Sequence, residues 1–246
     1  MAVALRSEPP LTLRSTVDGV HLVGSGAGPL GGDDLALDVR VGPGAALDLS
    51  SVAASLVQPG PHGDGSRTVV DVEVGVGAHL HLHLQPMVLV AGCEHESLVR
   101  VRMGAGASLM WRDEVVLGRH AEPSGSLRQR VHLDVAGEVL LRNELVVGPL
   151  SPWSLGPAGV GGARAFGSLV VVDEGLDTSA VEAIVLDDAV VAPFSGVVVA
   201  PLVLDGPAVV ISAVGDRPSA VGDALDAVFR AMVAGPLLHL AGRSSV

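Results

Sequence analysis

Four stretches of the chain repeat one pattern, and the repeat restricts the fold more than any other feature. They are "LDVRVGPGAALDLS" (37–50), "VDVEVGVGAHLHLH" (70–83), "VRVRMGAGASLMWR" (99–112) and "VHLDVAGEVLLRN" (131–143). Each reads as an alternating strand, a glycine turn and a second alternating strand. The turn glycines Gly44, Gly77, Gly106 and Gly137 are spaced by 33, 29 and 31 residues. A repeat of this period marks a stacked architecture. Glycine supplies the positive φ of a short turn, so each unit reads as a β-hairpin. Period two places Val39, Val41, Leu47 and Leu49 on one face in the first unit. Val72, Val74, Leu80 and Leu82 follow in the second unit, and Val99, Val101, Leu109 and Trp111 in the third. A lone hairpin cannot cover its apolar face, so the units must stack.

Composition agrees. Apolar residues make up 48% of the 246 positions but aromatics only 2%, so the core is built from Val, Leu and Ala. Val suits a pleated sheet. The expected class is all-β: stacked hairpin repeats in a coiled, flattened β-helix- or sandwich-like array, with one or two short helices, in a single domain over 1–246. The apolar runs 168–173, 183–186 and 208–213 read as further strands, and 151–167 as a Gly- and Pro-rich loop. Residues 219–235 change to helical spacing through Val221, Leu225, Val228 and Met232. Asp216 or Ser219 is the expected cap and Gly235–Pro236 the expected stop.

The formal charge is −12, with no Lys, which disfavours nucleic acid. A single cysteine, Cys93, excludes an internal disulfide framework and fits a reducing cytoplasm. The N-terminus lacks a secretory apolar segment, and apolar runs stop short of the ~20 residues of a membrane span.

Beyond the repeat, "GPLGGDDLALDVRVGPGAAL" (28–47), "LQPMVLVAGCEHESLVRVRMGAGASLMWRDEVVLGR" (84–119), "RNELVVGP" (142–149) and "VISAVGDRPSAVGDALDAVFRAM" (210–232) occur in an order that resembles the UreD (UreH) family of urease accessory proteins. The resemblance implies a non-enzymatic, β-rich scaffold. Such a scaffold binds the urease apoprotein and recruits UreF, which docks the nickel-carrying GTPase UreG. No tightly bound cofactor is implied, only transient Ni²⁺, which in some accounts passes through an internal tunnel. Carried over by position, Asp33, Glu114 and Glu144 would line that path. The chain departs from the family at "SSVAASLVQPGPHGDG" (50–65), which lacks the usual Thr-rich segment with its closing basic and aromatic pair.

The same residues have plainer readings. Asp33 and Asp34 suit an Asx turn entering a strand. Glu114 and Glu144 stand at equivalent places in successive repeats, each close to the core, where Arg112 and Arg142 would neutralise them. His79, His81 and His83 share the face opposite the leucine row, equivalent to Ala46, Asp48 and Ser50 in the first unit and Ser108, Met110 and Arg112 in the third. That face reads as outward, with weak metal handling as the other possibility. Cys93 is a soft ligand or a simply buried residue. The competing function is a metal-dependent enzyme on a β-solenoid or cupin-like sheet, combining the histidine row with Glu94, His95 and Glu96. Trp111, Trp153 and Phe166 are the available aromatic anchors for a partner.

Overall fold

A computed structural model describes residues 4–157 and 159–234. The repeat folds as expected into stacked units, but the first three units are not hairpins. The first three coils consist of β3 (Asp34–Val41), β6 (Ser66–Val74) and β9 (Glu94–Met103) on one sheet, and β4 (Ala46–Ser51), β7 (His79–His83) and β10 (Ser108–Val116) on another. Each strand pairs in parallel with its counterpart one coil away, so Leu47, Leu80 and Leu109 form one rung and Val39, Val72 and Val101 another. The chain therefore crosses from sheet to sheet at each glycine turn, making an arch. In a hairpin the two apolar rows of a unit would share one sheet face and need a further layer to cover them. In the arch they face one another, and nearly all are buried in one core cluster.

The corner sequence explains the arch. Gly42-Pro43-Gly44-Ala45, Gly75-Val76-Gly77-Ala78 and Gly104-Ala105-Gly106-Ala107 superpose as four-residue turns. The second glycine of each has φ between +61° and +66°. In the second and third corners the first glycine has no room for a side chain: a Cβ on Gly75 would lie 2.7 Å from Pro43 N, and one on Gly104 2.6 Å from Val76 N, whereas Gly42, at the end of the stack, faces open space. Adjacent corners are hydrogen-bonded, Gly44 N–H to Val76 O at 2.9 Å and Gly77 N–H to Ala105 O at 3.0 Å.

Antiparallel strands end the stack. The fourth unit is a true hairpin, β11 (Ser126–Val135) with β12 (Glu138–Val147), turning through Ala136 and Gly137, both with positive φ. The first sheet thus has the order β12-β11-β9-β6-β3. The second is extended by β1 (Leu11–Ser15) and β2 (Val20–Gly24) at one end and by β13 (Ala165–Val172), β15 (Ala208–Gly215) and β14 (Val197–Val203) at the other. Two short strands, β5 (Ser55–Val57) and β8 (Met87–Leu89), pair beside β10 on the side away from the glycine corners.

Helices cover the outer face of the larger sheet. Residues 183–186 belong to α1 (Thr178–Val185) and its end, not to a strand. Asp177 accepts a hydrogen bond from Ala180 N–H at 3.1 Å, and Val181 and Val185, one turn apart, are buried. A short α2 (Asp188–Val191) follows. The C-terminal helix α3 (Pro218–Ala234) buries Val221, Leu225, Val228 and Met232 as the spacing predicts, but it begins at Pro218, so Ser219 lies inside its first turn. Gly235–Pro236 lie outside the described residues. The 151–167 loop contains a 3₁₀ turn at Pro152–Leu155 and gives way to β13 at Ala165. Among the described residues, no helix is long and apolar enough to cross a membrane.

Candidate functional site

Alternation decides which side chains enter the space between the sheets. On β10, Trp111 points inward, so Asp113 does too, and Arg112 and Glu114 point outward beneath α3. Asp113 lines a cavity of about 340 Å³ between the sheets, together with Thr68 of β6 and Ser97 of β9, against walls that include Val70, Leu82 and Trp111. The mouth is formed by residues 26–29 and 51–56. The Asp113 carboxylate accepts a hydrogen bond from Gln129 Nε2 of β11, which links the two sheets across the core. Burial pushes this carboxyl above the usual carboxylate range, against the opposing pull of Gln129 and a backbone N–H.

Register extends the polar surface. Asp113 pairs with Ser168 of β13, and Ser168 with Ser212 of β15, on the inward side of the larger sheet. Thr68, Ser97 and Gln129 make the matching rung on the smaller sheet. A polar seam thus crosses a sandwich filled mainly with Val and Leu, from Asp113, partly exposed to the cavity, to the exposed Ser212. The seam was readable from period two once Trp111 had been placed inside.

The sequence candidates lie elsewhere. Asp33 Oδ2 accepts a hydrogen bond from Leu30 N–H at 2.8 Å, the Asx-type turn, in the loop whose Gly28 and Pro29 border the cavity mouth. Asp34 is exposed at the start of β3. Glu114 is buried and paired with Arg112 at 2.6 Å, as its plainer reading required. Arg112 also bonds Asp226 and the Gly222 carbonyl, tying α3 to the sheet. Burial raises the Glu114 carboxyl and Arg112 opposes the rise.

Glu144 differs from expectation. It is not equivalent to Glu114, because the fourth unit reverses as a hairpin and places β12 on the smaller sheet. It stands on the outer surface, paired with Arg128 at 2.8 Å, and Arg142 pairs instead with Asp134. Both pairs belong to a ladder of ion pairs on that face, which includes Arg100–Asp71 and Arg102–Glu73. Asp33, Glu114 and Glu144 therefore do not border one interior path.

The histidine row points away from the leucines, and its expected rungs are observed: Ala46–His79–Ser108, Asp48–His81–Met110 and Ser50–His83–Arg112. The face is half covered. His81 stacks on Phe229 of α3 at 5.8 Å and bonds Asp48 at 3.0 Å, and His79 bonds Ser108 at 2.6 Å. Burial, then the Arg112 charge, lowers the His83 pKa. Glu94, His95 and Glu96 lie on the opposite sheet, with His95 turned inward, so the enzyme alternative does not assemble its ligands. Among the described residues, no three His, Cys, Asp or Glu side chains gather as a metal site requires. Cys93 is buried and its thiol is pushed up to about 11, so it stays a neutral thiol at physiological pH.

Comparison with known proteins matches the sequence to a family. The family model described as UreD urease accessory protein matches residues 3–244. The urease accessory protein UreD of Frankia alni is 41% identical over 213 residues, spanning 80% of this chain and 68% of that protein. That of Frankia casuarinae is 44% identical over 163 residues, 62% of this chain and 51% of its own length. That of a Parafrankia species is 36% identical over 250 residues, 91% and 80%.

Proposed function

The chain belongs to the UreD urease accessory protein family, and from that premise we propose that it serves urease maturation as a scaffold. It binds the urease apoprotein, recruits UreF- and UreG-like partners, and passes Ni²⁺ toward the urease metallocentre. The observation that carries the nickel step is the polar seam through an apolar sandwich. A buried carboxylate is unfavourable without a partner. Here it is kept beside hydroxyls and an amide, a lining of oxygen donors. Such donors hold a divalent ion more loosely than thiolates would, and looseness is what transit requires. Asp33 at the mouth and Asp113 within are the carboxylates that fit this route. Glu114 fixes α3, and Glu144 belongs to the outer ladder.

Asp113→Asn tests the route. The amide keeps the shape and a hydrogen bond to Gln129 while removing the charge. Because the Asp113 carboxyl is raised in the folded state, its ionisation opposes folding as pH rises, and the variant is expected to be at least as stable at pH 7. Urease apoprotein capture is expected to be unchanged, and urease activation at limiting nickel to fall about tenfold, the effect of losing one charge-assisted ligand worth ~1.4 kcal/mol. Activation equal to wild type would reject the seam as the route. Failure of the wild-type chain to capture urease apoprotein or a UreF-like protein would reject the scaffold.

A further inference from the structure

Among the described residues that line the inter-sheet cavity, Asp113 alone is charged. Its hydrogen-bond partners among the described residues are Gln129 and a backbone N–H, both neutral, so no cation of the protein balances it. The walls around it are mainly apolar and come from both sheets: Leu22, Leu82 and Trp111 on one, Leu37, Val70 and Val99 on the other. Thr68 and Ser97 add two hydroxyls from the smaller sheet. A cavity of about 340 Å³ lies at the small end of the ~300–1,000 Å³ of ligand pockets, which join apolar walls to a few placed polar groups.

Charge and lining select the occupant. One carboxylate balances one positive charge. A dication held there would keep an uncompensated charge among apolar walls, which suits passage and not residence. An anion would face the carboxylate directly. The apolar walls call for an organic body, since covering them is the favourable part of binding. A primary ammonium carries three donors, matching the Asp113 carboxylate and the Thr68 and Ser97 hydroxyls. We propose that the cavity is the binding site of a small organic monocation, a primary ammonium on Asp113 with an aromatic or aliphatic body between the sheets, and that this occupant closes the nickel route. The site stands on the cavity alone, and the closure rests on the nickel reading.

Benzylammonium, benzyl alcohol and benzoate share one shape and differ in charge. They are titrated into the full chain carrying Trp153→Phe, which leaves the cavity-lining Trp111 as the sole indole. Calorimetry and Trp111 emission are expected to show benzylammonium binding about tenfold tighter than benzyl alcohol, the margin of a charge-assisted bond over a neutral one, with benzoate unbound. Adding Asp113→Asn should bring the ammonium down to the affinity of the alcohol and leave the alcohol within about twofold, with thermal melting confirming the fold. Equal binding of ammonium and alcohol, an ammonium preference that survives Asp113→Asn, or binding of none of the three would overturn the site. In activation of urease apoprotein at limiting nickel, saturating benzylammonium should lower the wild-type yield about as far as Asp113→Asn does, without affecting mature urease. Binding without that effect would overturn the closure and keep the site. Loss of activation in Asp113→Asn, with no ligand bound by the wild type, would overturn the site and keep the route.

Discussion

His95 should make this protein acid-sensitive by a calculable amount. The imidazole is 3% exposed on the inward side of β9, Nδ1 shares a hydrogen bond with Ser66 Oγ at 2.8 Å, and Nε2 has no partner among the described residues. Protonation would place a charge between the sheets, and burial pulls the pKa down to about 4. In the unfolded chain the group titrates near 6.5. The unfolded state thus binds the proton first as pH falls. The stability contributed by the neutral ring is complete above the unfolded value and is lost on acidification through the window between the two values. The loss is about 2 kcal/mol between pH 7.5 and 5, and about 3 kcal/mol by pH 4. Urea unfolding at pH 7.5, 6.5, 5.5 and 5.0 reads this directly when wild type is compared with His95→Leu. The variant keeps the bulk and cannot titrate. It forfeits the Ser66 bond at every pH, so the difference in slope carries the information and the absolute offset does not. The variant curve should be flatter by about 2 kcal/mol across that range. Parallel curves would refute the burial argument.

Two further outcomes test the packing. Arg112→Leu leaves the Glu114 carboxylate buried without its partner and releases Asp226 of α3, and should destabilise by about 3–5 kcal/mol. Hydrogen exchange should show α3 opening first. The double change Arg112→Leu/Glu114→Leu should recover most of that loss, and a double variant as unstable as the single would contradict the assignment. Gly125→Ala would place a Cβ 2.3 Å from Cys93 Sγ and 2.5 Å from Val90 O, so at least about 2 kcal/mol should be lost. A melting temperature within a degree of wild type would show that this corner yields.

The inward rows were legible because period two needs no knowledge of the partner strand. Val72, Leu80 and Trp111 lie where alternation puts them, and comparing repeats correctly aligned His81 with Asp48 and Met110. The sheet that each half-unit joins was not legible locally. A strand, a glycine turn and a strand describe an arch and a hairpin equally well. The choice is made by whether the next unit, about thirty residues on, offers a parallel neighbour. Units one to three have such a neighbour on both sheets, and the fourth turns back on itself. That reversal also explains Glu144, whose sequence likeness to Glu114 carries no spatial likeness. Asp113 was legible from Trp111, but the family resemblance drew attention to the glutamate beside it. Ala183–Leu186 is too short a run for period alone to separate strand from helix, and Asp177 settles it by capping the helix from four residues before Val181, the first of the buried pair.

The two rims of the coil obey different rules. On the glycine rim, every crossing between Val41 and Ala46, Val74 and His79, and Met103 and Ser108 spans four residues, and neighbouring turns touch main chain to main chain. No length change is tolerated there. On the opposite rim the crossings run from Ser51 to Ser66, His83 to Glu94 and Val116 to Ser126, with unequal lengths, and they are joined only in part, by the parallel pairing of β5 with β8 and by bonds such as Val90 N–H to Val57 O at 3.1 Å. The entrance to the internal space is built from that looser rim. Ala53 and Ala54, between β4 and β5, border that entrance outside any paired strand, so a length change confined to them alters access to the interior while the frame that surrounds it keeps its register.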